Sequence, residues 1–179
     1  LSYDFSQRAL FGEGTVKVGQ RLDLTAGLRW YDFEEERDQV FDGFLVGFVS
    51  QPGSTTASGI APRFMASFRA SDNVTLNAQA SQGFRLGGIN DPLNEPICSA
   101  DDLETFGGRE SWEDETAWNY EVGAKTSWLN GRASLNVSAF HMDISDLQVT
   151  ATAGTCSSRI VFNVPKAISQ GAEVEFALA

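Results

Sequence analysis

Arginine and aromatic side chains are interleaved between residues 85 and 112 of this 179-residue chain. A guanidinium makes paired, charge-assisted hydrogen bonds to carboxylate oxygens, and it also stacks over aromatic rings. Such a set suits a catecholate or carboxylate chelate. The candidate binding residues are Arg85, Asn90, Phe106, Arg109 and Trp112.

Nothing in the sequence resembles a catalytic constellation. It contains no Gly-x-Ser-x-Gly elbow and no phosphate-binding P-loop. Its single histidine, His141, lacks a second histidine with which to bind a metal, so we interpret it as a surface or lumen residue. We therefore expect a protein that is not an enzyme and that needs no cofactor.

Acidic residues are concentrated in two connecting segments. Residues 91–115 contain nine carboxylates and residues 34–42 contain five, and the formal net charge is -11. This balance argues against nucleic acid as a partner, because phosphate binding needs clustered Lys and Arg. Asp101-Asp102 and Glu113-Asp114-Glu115 have the oxygen ligands that Ca²⁺ prefers, but not the spacing of a calcium loop. Solvated loops and a cation-attracting surface both remain open, and no metal site is assigned.

The strand pattern that must position these residues is clearest from 116 to 147. Side chains alternate between apolar and polar through residue 128, and the alternation resumes after Asn130-Gly131. Successive side chains of a strand point to opposite faces, and Asn-Gly favours a type I′ turn. The segment therefore predicts a long β-hairpin. The apolar face of its first strand holds Trp118, Tyr120, Val122, Ala124, Thr126 and Trp128.

The same alternation predicts seven strands in all. Three short turns, at 19–20, 71–73 and 130–131, alternate with three long connections, at about 38–58, 86–115 and 148–159. In an up-and-down sheet, alternate connections emerge at the same edge. All tight turns would then lie at one end and all long loops at the other, as in outer-membrane barrels. Pro62 fits only near a strand start or at an edge, and Pro165 is expected to disturb the last strand.

Alternation alone does not distinguish a membrane barrel from a soluble β-sandwich. The predicted strands are 11 to 17 residues long, which is enough to cross a bilayer at a tilt. Trp30, Trp118 and Trp128 lie toward strand ends on the apolar face, where a membrane-interface girdle is expected. The apolar faces are rich in Ala, Thr and Gly, whose side chains are small for the close-packed core of a sandwich. These features favour a transmembrane barrel, and seven strands predict part of a larger one.

Several stretches from residue 60 onward match one known family in order and spacing. Gly83-Phe84-Arg85 ends a strand and enters a large loop, and Asn119-Tyr120-Glu121 follows that loop. Further matches are Glu115, Gly123, Lys125, Gly131-Arg132, Asn136, Phe140, Asp143, Asp146, Gly171, Glu173 and Glu175. With these motifs the chain resembles the C-terminal barrel of TonB-dependent outer-membrane receptors. His141 stands where the family usually has an aromatic residue.

The resemblance implies an antiparallel up-and-down transmembrane β-barrel in the outer membrane of a Gram-negative bacterium. Residues 1–179 would be a partial barrel domain, with about seven of about 22 strands, and the plug domain and barrel ends would lie outside this chain. The implied function is energy-coupled uptake of a scarce solute, most often a ferric siderophore. The implied partners are outer-membrane lipid, the ferric chelate, and an inner-membrane energy-coupling protein that acts through the plug.

Two points stay open at the level of sequence. In the barrel topology Cys98 and Cys156 occupy neighbouring external loops, so we predict a disulfide between them. A passive outer-membrane channel or an adhesin barrel is an alternative to the receptor, and a soluble β-sandwich binding module is a third possibility. Arg85 is a candidate ligand-binding residue, but it is equally able to pair with a wall carboxylate such as Glu121.

Overall fold

The computed structural model describes residues 2–42 and 48–179, and most of them lie in one antiparallel sheet. Seven long strands make up this sheet, and each pairs with the next long strand along the chain. The predicted all-β, up-and-down architecture is confirmed. The strands are β1 (Ser2–Val18), β2 (Leu22–Phe41), β3 (Val49–Ser71), β4 (Val74–Arg85), β5 (Gly88–Ile89), β6 (Ser111–Trp112), β7 (Glu115–Trp128), β8 (Ala133–Thr152) and β9 (Arg159–Leu178).

The tight turns and the longer connections lie at opposite ends of the sheet, as predicted. The turn after β1 contains Gly19 at a φ of 66°, a left-handed conformation that glycine adopts without strain. The turn after β7 contains four residues, 129–132, so it is wider than the predicted two-residue Asn-Gly turn. Leu129, Asn130 and Gly131 in it all have positive φ. Its last residue, Arg132, exchanges hydrogen bonds with Ala179 at the end of β9, which holds the widened turn in place.

The apolar face of the sheet is exposed and the opposite face contains the buried residues. Leu10, Ile60 and Val122 are 73%, 55% and 59% exposed, although they project from the interiors of long strands. On the other face, Tyr31 and Phe33 are only 4% and 2% exposed. A β-sandwich would bury its apolar face against a second sheet, so this arrangement contradicts the sandwich alternative. We call the exposed apolar side the outer face and the opposite side the inner face.

The outer face changes from apolar to polar side chains at the level of Trp30. Leu10, Trp30 and Ile60 are register partners, and the next row toward the loop end consists of Arg8, Asp32 and Ser58. In β7, Trp118 and Trp128 are ten residues apart. At a rise of about 3.4 Å per residue and a tilt of about 45°, these tryptophans lie about 24 Å apart along the membrane normal. That distance agrees with the apolar band of about 25 Å in outer-membrane barrels.

The predicted connection at 38–58 is wrong over most of its length. β2 continues to Phe41 and β3 begins at Val49, so that Asp38 pairs with Pro52 and Glu34 with Thr56. The Gly, Ser and Thr residues of this segment extend a hairpin above the apolar band. A ladder there needs backbone hydrogen bonds but no apolar side chains, so composition did not reveal it. Residues 43–47 of this connection lie outside the described residues.

The other two long connections also contain more structure than expected. Between β4 and β7 lie β5, a 3₁₀ turn at Glu95–Ile97, helix α1 (Ala100–Phe106) and β6, in place of a loop without regular structure. β8 continues to Thr152, which shortens the last connection to residues 153–158. We call residues 86–114 together with residues 153–158 the cap.

Both prolines that the sequence analysis singled out lie where a ladder stops. Pro62 pairs with Leu28 in the interior of β3, but the ladder to β4 begins only at Arg63, so this stretch of β3 is locally an edge. Pro165 faces Asp146 at a gap in the β8–β9 ladder, and Asp146 has a φ of 54°. The predicted disturbance at Pro165 is therefore confirmed.

None of the helices within the described residues has the length and apolarity needed to span a membrane.

Candidate solute-binding site at the loop end of the sheet

The stem of the cap is fixed by an ion pair at its base. Arg85 ends β4 and Glu115 begins β7, and the two are register partners with Nη2 2.6 Å from Oε2. The same Glu115 oxygen accepts from the backbone N–H of Gln148, and Arg85 donates to the Gln148 carbonyl at 2.9 Å. Arg85 therefore pairs with a carboxylate, but with Glu115 and not with Glu121. Its side chain remains 55% exposed, so it is still accessible to a solute.

Two side-chain amides hold both ends of the cap segment 86–114 to the sheet. The Nδ2 of Asn163 donates to the carbonyl of Glu113, and its Oδ1 accepts from the Glu113 N–H. The Nε2 of Gln148 donates to the carbonyls of Leu86 and Glu113. The cap therefore begins and ends at fixed positions over the inner face.

Asn90 has a structural role in the cap, which it connects to the sheet by hydrogen bonds. It is 3% exposed, and its side chain exchanges two hydrogen bonds with the backbone N–H and C=O of Val161 in β9, each 2.8 Å. Its Nδ2 also donates to the carbonyl of Arg109, and its own carbonyl accepts from Arg37 of β2 at 3.0 Å. Arg37 also pairs with Asp91 at 3.4 Å. Asn90 thus links β2 to β9 through the cap, and its side-chain amide group is fully occupied by protein partners.

The covalent link of the cap is a disulfide between Cys98 and Cys156, whose Cα atoms are 4.2 Å apart. It adjoins a small apolar core in which Ala153, Cys156 and Ile160 are 0%, 0% and 1% exposed. Phe106, a candidate binding residue, packs against this core. Phe106 therefore stabilises the cap, and its ring is partly buried in the described structure.

Asp102 connects helix α1 to the second segment of the cap. Ser99 caps the N-terminus of the helix, and its hydroxyl also donates to Asp102. The hydroxyl and the backbone N–H of Thr155 donate to the same carboxylate at 2.6 and 2.9 Å. The Thr155 hydrogen bonds, followed by that from Ser99, hold the pKa of Asp102 below its ordinary value of 3.8. Their contribution to stability is therefore present above that ordinary pKa and is lost as the pH falls through the lowered one.

The two remaining candidate residues differ in exposure. Trp112 pairs with Gly88, and its ring lies so close to Gly88 that a Cβ there would overlap it. Its indole N–H is buried without an acceptor among the described residues. Arg109 is exposed, and its guanidinium lies 5.2 Å from the centroid of the Phe162 ring while donating to the Thr105 carbonyl. Of the five candidates, Arg85 and Arg109 are the exposed ones, and solute contact by any of the five stays a prediction.

Sequence reasoning did not find Arg37, Asn163 or Asp102 as residues that shape the site. Each acts on a partner far along the chain: Arg37 on Asn90, Asn163 on Glu113 and Asp102 on Thr155. The sequence around a polar residue gives no local sign of a partner so far along the chain. Within residues 2–42 and 48–179, no three His, Cys, Asp or Glu side chains are grouped closely enough to hold a metal ion.

We expect the full-length protein, purified without reductant, to contain the Cys98–Cys156 disulfide. Reduction or Cys98→Ser should remove about 3 to 4 kcal/mol of constraint on a closed loop of this size, and should loosen mainly the cap. Limited proteolysis followed by mass spectrometry would detect this as new cleavage within residues 86–114. Ser50→Cys, a lone thiol placed on β3, is the matched control for thiol chemistry. Two free thiols in the intact, oxidised protein would contradict the pairing.

The inner face below the cap is lined by polar side chains. Gln79 donates to Glu121 at 3.2 Å, and Asn136 donates to Glu175 at 3.0 Å. Glu173 lies on the same face, opposite Ser138. A cavity of about 320 Å³ is bordered by these side chains and by Lys125. This surface is suited to contact with water or with a polar partner.

Comparison with known proteins gives a family and a fold. The family model described as TonB dependent receptor-like, beta-barrel, matches residues 2–179. Among solved structures, the ferric yersiniabactin uptake receptor FyuA from Yersinia pestis superposes with a TM-score of 0.74 at 18% identity, over 97% of this chain and 24% of that chain. The FrpB iron transporter from Neisseria meningitidis gives a TM-score of 0.64 at 19% identity, over 98% of this chain and 24% of that chain.

A third solved structure also superposes on this chain. The hemophore receptor HasR of Serratia marcescens, in complex with its hemophore HasA and heme, gives a TM-score of 0.66 at 14% identity, over 96% of this chain and 31% of that chain. At these identities the superpositions establish the fold alone. The chain spans about a quarter to a third of the length of these structures.

Proposed function

Because this chain belongs to the family of TonB-dependent receptor β-barrels, we propose that it forms part of an outer-membrane receptor that takes up a scarce solute with energy from the inner membrane. The observation that carries the proposal is the inverted burial of the sheet. Its apolar face is exposed, and its polar face carries the cap and the buried residues. A sheet of this kind requires hydrocarbon on one side and water on the other.

We propose that residues 1–179 are a partial barrel domain that further strands complete. β1 and β9 each have only one neighbour in the described sheet, and an open strand edge is not viable within hydrocarbon. Closure with about 22 strands would give a lumen wide enough to require a plug. In that arrangement the cap lies at the external mouth of the lumen, because long loops are external in such barrels.

The inner wall supports docking of a plug domain. Glu121, Glu173 and Glu175 have no Lys, Arg or His partner within salt-bridge distance in the part of the chain that the structure describes. These three carboxylates outnumber the one lysine, Lys125, that borders the same cavity, and the excess negative charge attracts basic side chains, which a plug would supply. An inner-membrane energy-coupling protein would then act on the barrel through that plug.

The solute class that we propose is a ferric siderophore. Arg85 ends β4 and Arg109 lies in the segment between β4 and β7; both guanidinium groups are exposed, and such groups donate to the oxygen atoms of chelators. One structural relative takes up ferric yersiniabactin and another binds a hemophore with heme, so solutes differ among proteins of this fold. The choice of a ferric siderophore therefore depends on the residues of the mouth.

The test is binding and uptake of ferric chelates by cells that carry the full-length receptor. We expect Arg109→Ala to weaken binding about tenfold, the loss of one charge-assisted hydrogen bond. Arg132→Ala, at the opposite end of the sheet, is the matched control and should bind normally. Dissipating the proton gradient should stop uptake and leave binding intact. Uptake that continues without energy would favour a passive channel, and absence of both binding and uptake would overturn the proposal.

A further inference from the structure

Four polar side chains of β8 and β9 form a cluster on the outer face. The register partner of Tyr120, an outer-face residue of β7, is His141 in β8. The side chains of His141 and Asp143 are 43% and 42% exposed, although β8 pairs with a strand on each side. The only histidine of the chain, for which the sequence left the surface and the lumen open, therefore lies on the outer surface. We call His141, Asp143, Lys166 and Gln170 the interfacial cluster.

A hydrogen bond and two ion pairs connect the four side chains. Gln170 is the register partner of His141, and its Oε1 lies 3.2 Å from Nδ1 of the imidazole. The other ring nitrogen, Nε2, lies 3.5 Å from one carboxylate oxygen of Asp143. The second oxygen of that carboxylate lies 3.9 Å from Nζ of Lys166. Asp143 therefore positions both the imidazole and the ammonium group.

The interfacial cluster lies at the level of Trp30 in the membrane. Trp30 is eight residues beyond Leu22, where β2 leaves its tight turn, and His141 is eight residues beyond Ala133, where β8 leaves its turn. Because the strands of one barrel share a tilt, equal distances along the strand from the turns give about equal heights. The loop end of such a barrel is external. The cluster therefore meets the headgroups of the outer leaflet.

Two aromatic rings border the interfacial cluster. Trp118 is the register partner of Asp143, and its ring is nearly parallel to that of Tyr120, with centroids 5.9 Å apart. A flat aromatic surface packs against the C–H face of a sugar ring, whose hydroxyls need both donors and acceptors beside it. A carboxylate accepts, an ammonium group donates and an amide does both. This combination suits a saccharide headgroup better than choline or ethanolamine, which have no ring of hydroxyls.

An apolar cavity adjoins the cluster on the side toward the turn end. It has a volume of about 1040 Å³, and Tyr120 and His141 form part of its border. Ala78, Val122 and Ala139, neighbours in one row of the outer face, line it further. This row lies toward the middle of the apolar band. An acyl chain would fill the cavity with close apolar contacts, which drive association within a bilayer.

From this arrangement we infer that the outer face of β7, β8 and β9 binds a glycolipid of the outer leaflet. Its saccharide packs on Trp118 and Tyr120 and exchanges hydrogen bonds with the interfacial cluster, and an acyl chain occupies the cavity. The charges of Lys166 and Asp143 balance each other, so the site selects the saccharide and not the negative charge of a headgroup. The inference depends on the position of the barrel in the outer membrane and not on the solute that is taken up.

Native mass spectrometry of the full-length receptor in detergent tests the inference with three probes. These are a lipopolysaccharide with a short saccharide, the same saccharide without its acyl chains, and phosphatidylglycerol, which is anionic but has no sugar. We expect the lipopolysaccharide to stay bound and neither of the other two, in excess, to displace it. Asp143→Ala should weaken its binding about tenfold, through the loss of charge-assisted hydrogen bonds. Asp32→Ala is the matched control, because Asp32 lies on the outer face as far from its tight turn as Asp143 does, and it should bind normally.

His141→Phe separates binding from folding. Phenylalanine is an aromatic residue suited to this level of the membrane, but it has no nitrogen with which to contact Asp143 or Gln170. The variant should migrate as a folded barrel in unheated gels and should lose lipopolysaccharide as Asp143→Ala does. Unchanged binding in both variants, or displacement by phosphatidylglycerol or by the deacylated saccharide, overturns the inference. Uptake of ferric chelates is measured separately, so the proposed function can stand when this inference fails.

Discussion

Ala78→Arg in the full-length receptor is expected to lower the free energy of unfolding by about 2 to 4 kcal/mol, whereas Gln79→Arg is expected to change it by less than about 0.5 kcal/mol. Ala78 lies on the outer face, between Ala66 and Val122 in the register. An arginine there would project into hydrocarbon near the middle of the apolar band, where a charge is most costly.

The two substitutions differ only in the face that receives the charge. Gln79 is the next residue of the same strand, points to the inner face and contacts Glu121, with which a guanidinium would pair. Urea unfolding of the receptor in lipid bilayers gives both free energies in one experiment. Equal destabilisation by both variants would mean that the outer face does not meet lipid. Such a result would remove the basis for a membrane barrel and for the uptake function with it.

The outer and inner faces of the sheet were predicted correctly because the alternation of apolar and polar side chains is visible within each strand by itself. In β7, Tyr120 and Val122 alternate with Glu121 and Gly123, and the structure exposes the first pair on the outer face. Period two follows directly from strand geometry, so it survives without knowledge of neighbouring strands. The seven strands and their antiparallel order were therefore predictable.

Strand ends were not predictable by the same means. From Gly53 to Gly59 the chain is rich in Gly, Ser and Thr, yet it pairs with 31–37 of β2. Above the apolar band both faces of that hairpin meet water or the cap, so no apolar alternation is needed to keep it paired. Where this strand ends depends on its pairing with β2, and the composition of the segment does not show that pairing.

The site was only partly predictable for a related reason. Asn90 was predicted to bind the solute together with the Arg and aromatic residues of the same loop, but its partner Val161 lies 71 positions along the chain. Long-range hydrogen bonds of this kind depend on the fold of the cap. The pairing of Cys98 with Cys156 was easier to anticipate, since the topology places their two loops side by side.

Asn90→Leu is expected to open the cap at a cost of about 2 to 5 kcal/mol, because it leaves buried backbone groups of Val161 and Arg109 without partners. Leucine has a similar size but no hydrogen-bonding group, so the change isolates the amide. Hydrogen exchange of the full-length receptor should show faster exchange within residues 86–114, while β7 and β8 keep their protection. Glu104→Leu, at an exposed position of helix α1, is the matched control for adding a leucine to the same segment.

Asn90→Asp distinguishes a structural role of Asn90 in the cap from direct contact of its amide with the solute. The aspartate still accepts from the N–H of Val161 but can no longer donate to the carbonyls of Val161 and Arg109, so it should open the cap partly. If Asn90 acts through the cap, the loss of chelate affinity in both variants should rise with the loss of exchange protection. Full protection combined with weakened binding would instead place the Asn90 amide in direct contact with the solute. The structural role described by the hydrogen bonds would then belong to only one conformation of the mouth.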